Sequence, residues 1–213
     1  MRGYLITFEG CDGSGKTTVA ERTFEILKSK GLDVVSTREP GGVPIAEQIR
    51  AVILDGKNTA MDIRTEVLLF AASRRQHLVE KVLPALKAGK IVLSDRFVDS
   101  SLAYQGYARG AGIEPVRQIN DYAIEGTWPD ITYFLDCEPE VCLNRIHSDS
   151  AHEENRLDLE KIAFHNRVYE GFKKLAEMFS DRIVTIDGHR TIEEEAVEIA
   201  ADIQKRISGG ISD

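Results

Sequence analysis

The octapeptide Gly10-Cys11-Asp12-Gly13-Ser14-Gly15-Lys16-Thr17 constrains this chain more than any other stretch. It has the form G-x-x-x-x-G-K-[ST]. It follows the apolar run Tyr4–Phe8 and leads into a helix-compatible segment, Thr17–Ser29. Strand, glycine-rich turn and helix is the context in which such a sequence cradles phosphate. The glycines let the backbone curl so that several N–H groups point into one hollow. The helix beginning there adds its partial positive end. Lys16 supplies a mobile charge for the outer phosphates and Thr17 a hydroxyl for Mg²⁺, with Thr18 next to it in the first helical turn. A nucleoside triphosphate is the expected ligand.

The 213 residues are 42% hydrophobic and 29% charged, as in one ordinary globular domain. Folding at this length buries about 70% of the unfolded surface, so no disulfide or structural metal is required. Cys11, Cys137 and Cys142 form no C-x-x-C pair and, with scattered histidines, give no zinc spacing. A reducing cytoplasm is expected. The first residues run straight into a strand, so no signal peptide is expected. The apolar stretch Val67–Ala72 is far too short to cross a bilayer. A formal net charge of −8 disfavours non-specific nucleic-acid binding. Neither membrane nor nucleic acid is an expected partner, and local arginines must hold any phosphate against the overall field.

Five nearly continuous apolar runs read as buried strands: Tyr4–Phe8, Val34–Thr37, Ile91–Ser94, Ile131–Leu135 and Ile183–Ile186. Continuous apolarity means both faces are covered. Helical patterns lie near 17–29, 45–55, 64–88, 114–125, 139–147, 158–179 and 191–207. The alternation predicts a three-layer α/β fold, a single domain over 1–213 with a five-stranded parallel sheet. The tail from Ser208 is expected to fray. Each run ends in polar or turn residues, among them Glu9-Gly10, Arg38-Glu39 and Asp95-Arg96. Ligands of parallel sheets bind outside the carboxyl ends of the strands, so these sets converge on one site.

Asp95 after its strand suits the metal-holding acid of a phosphate-binding site; the bland alternative is a helix cap. Arg38, in Arg38-Glu39-Pro40-Gly41-Gly42, can reach an anion with its planar fork, and the glycine pair lets backbone approach a ligand. Arg50 either faces the same anion or pairs with Glu47. Arg96 beside Asp95 makes sense if two phosphate groups are brought together; the alternative is an ion pair with Asp95 or Asp99. Arg64–Gly89 reads as one long amphipathic helix on which Phe70 and Arg74 share a face. Core packing is the default for Phe70. In the polar helix that follows, with Asp99 as its cap, Ser100 and Tyr104 share a face and Ser101 and Gln105 the next. Gln105 carries donors and an acceptor, enough to read a base edge. The stretch His147–Asn155 reads as a solvated, mobile loop flanked by Arg145 and Arg156.

Together FEGCDGSGKTT, TREPGG, RTEVLLFAASRRQH, SDRFVDSSLAYQG and NRLD resemble the thymidylate kinase family, over nearly the whole chain. The resemblance implies a P-loop NTPase fold and transfer of phosphate from ATP to dTMP. Residues Gly10 to Thr18 would hold the ATP phosphates, with Mg²⁺ at Thr17 and Asp95. Asp12 would lie near the 3′-hydroxyl of the acceptor. Arg38 and Arg96 would clamp the dTMP phosphate, with Arg50 as a helper. Phe70 would stack on thymine, replacing the core-packing default, and Arg74 would bond its carbonyl edge. Ser100, Ser101 and Gln105 would complete the pocket, and Tyr104 would press on the sugar. Arg156 and the segment Asp187–Arg190 would lie near adenosine. Family members are typically homodimers.

The segment Arg145–Arg156 would be the lid over ATP. Many relatives carry arginines inside the lid; another subclass has one in the loop, at the position held here by Gly13. The interior of this lid has no Arg or Lys, so Arg145 or Arg156 is expected to supply the cation. The runner-up is another nucleoside-monophosphate kinase. A GTP-binding switch protein is disfavoured because neither N-K-x-D nor T-K-x-D occurs.

Overall fold

The structure, a computed structural model, describes residues 3–148, 156–157 and 160–209. Five parallel strands form its sheet: β1 (Tyr4–Glu9), β2 (Val34–Arg38), β3 (Ile91–Asp95), β4 (Ile131–Asp136) and β5 (Ile183–Asp187), in the order β2-β3-β1-β4-β5. Each runs one residue past its apolar stretch, because the ladder pairs Phe8 and Arg38 with Asp95, and Asp136 with Asp187. Each strand therefore ends on a polar residue, Glu9, Arg38, Asp95, Asp136 or Asp187, at the carboxyl edge where ligands of such sheets bind.

Alternating residues of the strands serve two cores. Leu5, Val92 and Phe134 pack on one side with Leu78, Leu102, Phe172 and Leu175. Ile6, Phe8, Leu93, Tyr133 and Leu135 pack on the other with Val19 and Leu27 of α1 (Lys16–Ser29) and Ile199 and Ile203 of α9 (Ile192–Gly209). Two covered faces explain why the strands are apolar throughout.

On the first side lie α2 (Pro44–Leu54), α3 (Ile63–His77), α4 (Leu83–Lys87), α5 (Val98–Ser101), α6 (Ile113–Ile124) and α8 (Ile162–Met178), while α7 (Pro139–Ser148) follows β4. The long helix read over Arg64–Gly89 is α3 and α4 joined by a π-helical turn, Leu78–Val82. A wider turn there accommodates Pro84, which has no N–H to give. A second π-helical segment, Leu102–Ala108, extends α5. Asp99 is not a cap. It lies inside α5, buried, and its carboxylate takes two 2.7 Å bonds from Arg182. Helix α8 starts at Ile162 rather than 158, after an extended Lys161. The interior of the expected lid, 149–155, and the tail beyond Gly209 lie outside the described residues.

Candidate active site

Between β1 and α1 the loop closes on itself: Ser14 N–H donates to the Cys11 carbonyl at 3.1 Å, and Lys16 Nζ reaches the same oxygen at 3.2 Å. Lys16 is buried, with Asp12 Oδ1 3.8 Å from its nitrogen. Burial, then Arg96, pushes the proton affinity of this ammonium down. Gly13, at φ 82, admits no side chain: a Cβ there would come within 2.2 Å of the Cys142 carbonyl on α7. Thr17 donates its hydroxyl to Asp95 Oδ2 at 2.6 Å, while Asp95 Oδ1 is buried without a hydrogen-bond partner.

Arg96 has a left-handed backbone, φ 68, a region that a non-glycine residue occupies only when its surroundings over-determine it. Its guanidinium donates to the Gly10 carbonyl at 3.1 Å, Ser100 Oγ at 2.9 Å and Asp12 Oδ1 at 2.5 Å. It lies over the Tyr104 ring, 5.2 Å from the centroid. The ion pair is with Asp12, not with Asp95 or Asp99. Tyr104 Oη donates to Asp12 Oδ2 at 2.8 Å. Burial pushes the Asp12 carboxyl up, but Arg96, then Lys16, outweigh it and hold the group well below the usual carboxylate range. Glu9, buried beneath, accepts from Phe97 N–H at 2.7 Å and Ser100 Oγ at 2.5 Å. Burial, then Asp99, pushes its carboxyl up to about 8.

Two cavities open at this edge. The smaller, about 500 Å³, is lined by Phe70, Ser100, Tyr104, Gln105, Leu157 and Pro40 together with Asp12, Glu39, Arg50 and Arg96. The larger, about 1370 Å³, shares those last four residues and adds Gly13, Gly15, Lys16, Thr17, Thr18, Arg38, Asp95 and Arg145. Phe70 is half-buried on the wall of the smaller cavity. Arg50 faces both cavities and donates to the Pro40 carbonyl at 2.9 Å; Glu47 is taken by Arg38, also at 2.9 Å. Burial, then Arg38, pushes the Arg50 proton affinity down. Gly41 and Gly42 are also crowded from within the protein. A Cβ on Gly41 would meet Glu47 at 2.4 Å, and one on Gly42 would meet His77 at 2.8 Å.

Arg74 and Ser101 stand behind the smaller cavity rather than on its wall. Arg74 is buried, donating to Glu39 Oε2 at 2.7 Å, Ser101 Oγ at 3.2 Å, the Phe97 carbonyl at 2.9 Å and Asn120 Oδ1. Glu39 also meets His77 Nδ1 at 2.9 Å, and His77 Nε2 meets Thr37 at 2.6 Å. The flanking arginines separate. Arg145 lies over the loop, donating to the Ser14 carbonyl at 3.4 Å and the Gly188 carbonyl at 3.1 Å. Arg156 is buried away from the loop, against the Ile53 carbonyl at 2.9 Å and Glu66 Oε2 at 2.5 Å. Arg190 pairs with Glu198 at 2.5 Å.

Sequence reasoning assigned no role to Glu66, Glu39, His77 or Asn120. Glu66 carried a signal: an acid inside the apolar helical stretch, one turn before Phe70. The fold also gathers Cys137, Glu138 and His189 within 4.8 Å, which no local spacing announces; Glu138 and His189 pair with each other at 2.7 Å. Among the described residues no helix is long and apolar enough to cross a membrane.

A phosphate-binding loop at the edge of a parallel sheet, opening into a second arginine-lined cavity, defines a P-loop kinase. The thymidylate kinase family model matches residues 8–199. Curated thymidylate kinases from Geobacillus sp. (strain WCH70) and Bacillus velezensis (strain DSM 23117 / BGSC 10A6 / LMG 26770 / FZB42) are 54% and 55% identical to the chain. Those alignments cover 98% and 97% of this chain and 100% and 99% of the relatives. A crystal structure of thymidylate kinase from Ehrlichia chaffeensis superposes with a TM-score of 0.75 at 33% identity, covering 96% of this chain and 99% of that one. The chain belongs to the thymidylate kinase family.

Proposed function

We propose that the larger cavity takes ATP, the smaller takes dTMP, and the γ-phosphoryl group passes directly between them to give dTDP and ADP. The wall shared by Asp12, Glu39, Arg50 and Arg96 carries this reading, because it sets the two cavities side by side with two arginines between them. The acceptor phosphate is already an anion near neutral pH, so neither a strong base nor a covalent intermediate is needed. Catalysis is then positioning plus charge stabilisation.

Lys16 holds the outer ATP phosphates from the loop. Arg38, Arg50 and Arg96 hold the acceptor phosphate and offset the repulsion between two anions. Arg145 is the cation above the loop, and Arg156, tied to Glu66, supports the acceptor side. Phe70 stacks on the base, Gln105 reads its edge, and Tyr104 presses on the sugar. Asp95 Oδ1, buried without a partner beside the Thr17 hydroxyl, suits a hard cation. Thr17 and Asp95 would hold Mg²⁺, which supplies charge neutralisation on ATP. The reading includes a cytoplasmic homodimer. Exposed Leu68, at the rim of an apolar hollow lined by Ile63, Val67, Val116 and Ile119, supports a second copy there.

The test is a panel of dTMP, dUMP, dGMP and AMP with ATP and Mg²⁺. Preference for dTMP is expected. Preference for a purine monophosphate would favour another nucleoside-monophosphate kinase.

A further inference from the structure

We infer that Glu66 fixes the side-chain amide of Gln105 so that a carbonyl oxygen faces the acceptor cavity, which makes Glu66 a determinant of base specificity. The inference rests on the reading of that cavity as the dTMP site.

Glu66 is buried on α3. Its Oε1 accepts from Gln105 Nε2 at 2.8 Å and Arg109 Nε at 3.1 Å, and its Oε2 accepts from Arg156 Nη2 at 2.5 Å. Both of its oxygens are taken as acceptors, two of the three bonds coming from guanidinium groups that can only donate, and a carboxylate can only accept. The orientation of an amide follows from the hydrogen bonds around it. Here one orientation survives: the NH₂ must turn to Glu66, because the reverse would set two acceptors against each other. The other end, Oε1, is left for the cavity, which Gln105 lines together with Phe70. Among the described residues Oε1 has no hydrogen-bond partner. Phe70 is one helical turn after Glu66, so the stacking ring and the polarised amide serve the same side of α3.

An acceptor at that point selects its ligand. Thymine and uracil carry N–H at ring position 3; cytosine carries a lone pair there. Facing Oε1, the first two form a hydrogen bond and cytosine is repelled. A site built to bond one ring atom rejects analogues that lack it, because its own polar group is left unpaired. Glu66 does not touch the base. It is a positioning residue acting through Gln105.

The experiment compares kcat/KM of the full chain for dTMP, dCMP and N3-methyl-dTMP with ATP and Mg²⁺. Wild type, Glu66→Gln and Arg109→Gln are measured, with melting temperatures alongside. Wild type should prefer dTMP to dCMP by roughly 10³-fold or more and lose roughly 10²-fold or more on N3-methylation. In Glu66→Gln the new amide can both donate and accept, so Gln105 is free to turn. The dTMP/dCMP ratio should narrow about tenfold or more, with KM for dTMP rising and KM for ATP nearly unchanged. Arg109→Gln removes a partner of Glu66 without freeing the amide and should keep the ratio. An unchanged ratio in folded Glu66→Gln overturns the inference. So does wild-type turnover of N3-methyl-dTMP equal to that of dTMP, a result that stands even if the variant fails to fold. Absence of any dTDP from wild type would instead remove the acceptor-site reading itself.

Discussion

Arg96 and Asp12 are joined across 2.5 Å between the end of β3 and the phosphate-binding loop. The residue expected to grip the acceptor is therefore fastened to the loop expected to grip the donor. Arg96 spends its planar fork on Asp12, Ser100 and the Gly10 carbonyl at once. A lysine keeps the charge but cannot span those three partners. Arg96→Lys should lower kcat/KM for dTMP by roughly 10- to 100-fold, from the loss of fixed orientation. Steady-state kinetics with dTMP varied would check this; a wild-type value would mean that charge alone suffices.

Lys16 is held inside the loop by the Cys11 carbonyl at 3.2 Å. Lys16→Ala should cut kcat by roughly 10²-fold or more, taking one lost transition-state charge contact as ~3 kcal/mol. Single-turnover rates with saturating ATP isolate the chemical step. Near-normal turnover would contradict the role.

Arg145, not Arg156, lies over the loop. Arg145→Ala should lower kcat by about tenfold or more, as loss of a transition-state charge contact does, with little change in KM for dTMP. If kcat is kept, the cation that stabilises the transferring phosphoryl group lies elsewhere in the chain.

Arg74 has a structural burden that its expected role in base reading hides. With its side chain 2% exposed against a Glu39 equally buried, removing it strips that carboxylate of its guanidinium and leaves only the His77 imidazole beside it. Arg74→Ala should cost ~3–5 kcal/mol of stability, the usual penalty for breaking a buried pair. Urea unfolding would measure it; a loss under ~1 kcal/mol would mean that His77 is partner enough for Glu39.

Glu195, at the start of α9, is buried with Oε2 unpartnered. Burial pushes its carboxyl from 4.5 up to about 7, with Arg190 and then Arg145 pulling the other way. Between those values the folded chain keeps a proton that the unfolded chain has lost. Stability from this group is thus full below pH 4.5 and lost as pH rises through about 7. Glu195→Gln lacks that slope. Its melting temperature should gain on wild type by a few degrees between pH 5 and pH 8, at about 2–4 °C per kcal/mol for a chain of this size. Parallel curves would show that another group carries the titration.

The five strands, the two covered faces and the phosphate loop were legible because each rests on local pattern: apolar runs, a glycine-rich turn, a helix start; the order of the strands in the sheet was not. The π-helical turns at Leu78–Val82 and Leu102–Ala108 were not, since an apolar period of 3.6 does not register one inserted residue. Arg50 carried two readings, and the fold separated them by giving Glu47 to Arg38. Glu66 and Glu39 stayed silent because their meaning is pairwise. Glu66 binds residues 39, 43 and 90 positions away, and Glu39 binds Arg74 35 positions away. Arg74 and Arg156 look alike in sequence to the arginines that face the cavities; only burial tells them apart.

The Cys142 carbonyl, 2.2 Å from where a Cβ on Gly13 would lie, reaches beyond a tight contact. The resemblance allows an arginine either in the loop or in the lid, and here α7 fills the space beside position 13 with backbone. An arginine at position 13 would have to displace a helix before it could reach a phosphate. With α7 placed as it is, a side chain at position 13 and the present loop geometry exclude each other. Positive charge over this loop is thus left to side chains outside position 13, Arg145 among them.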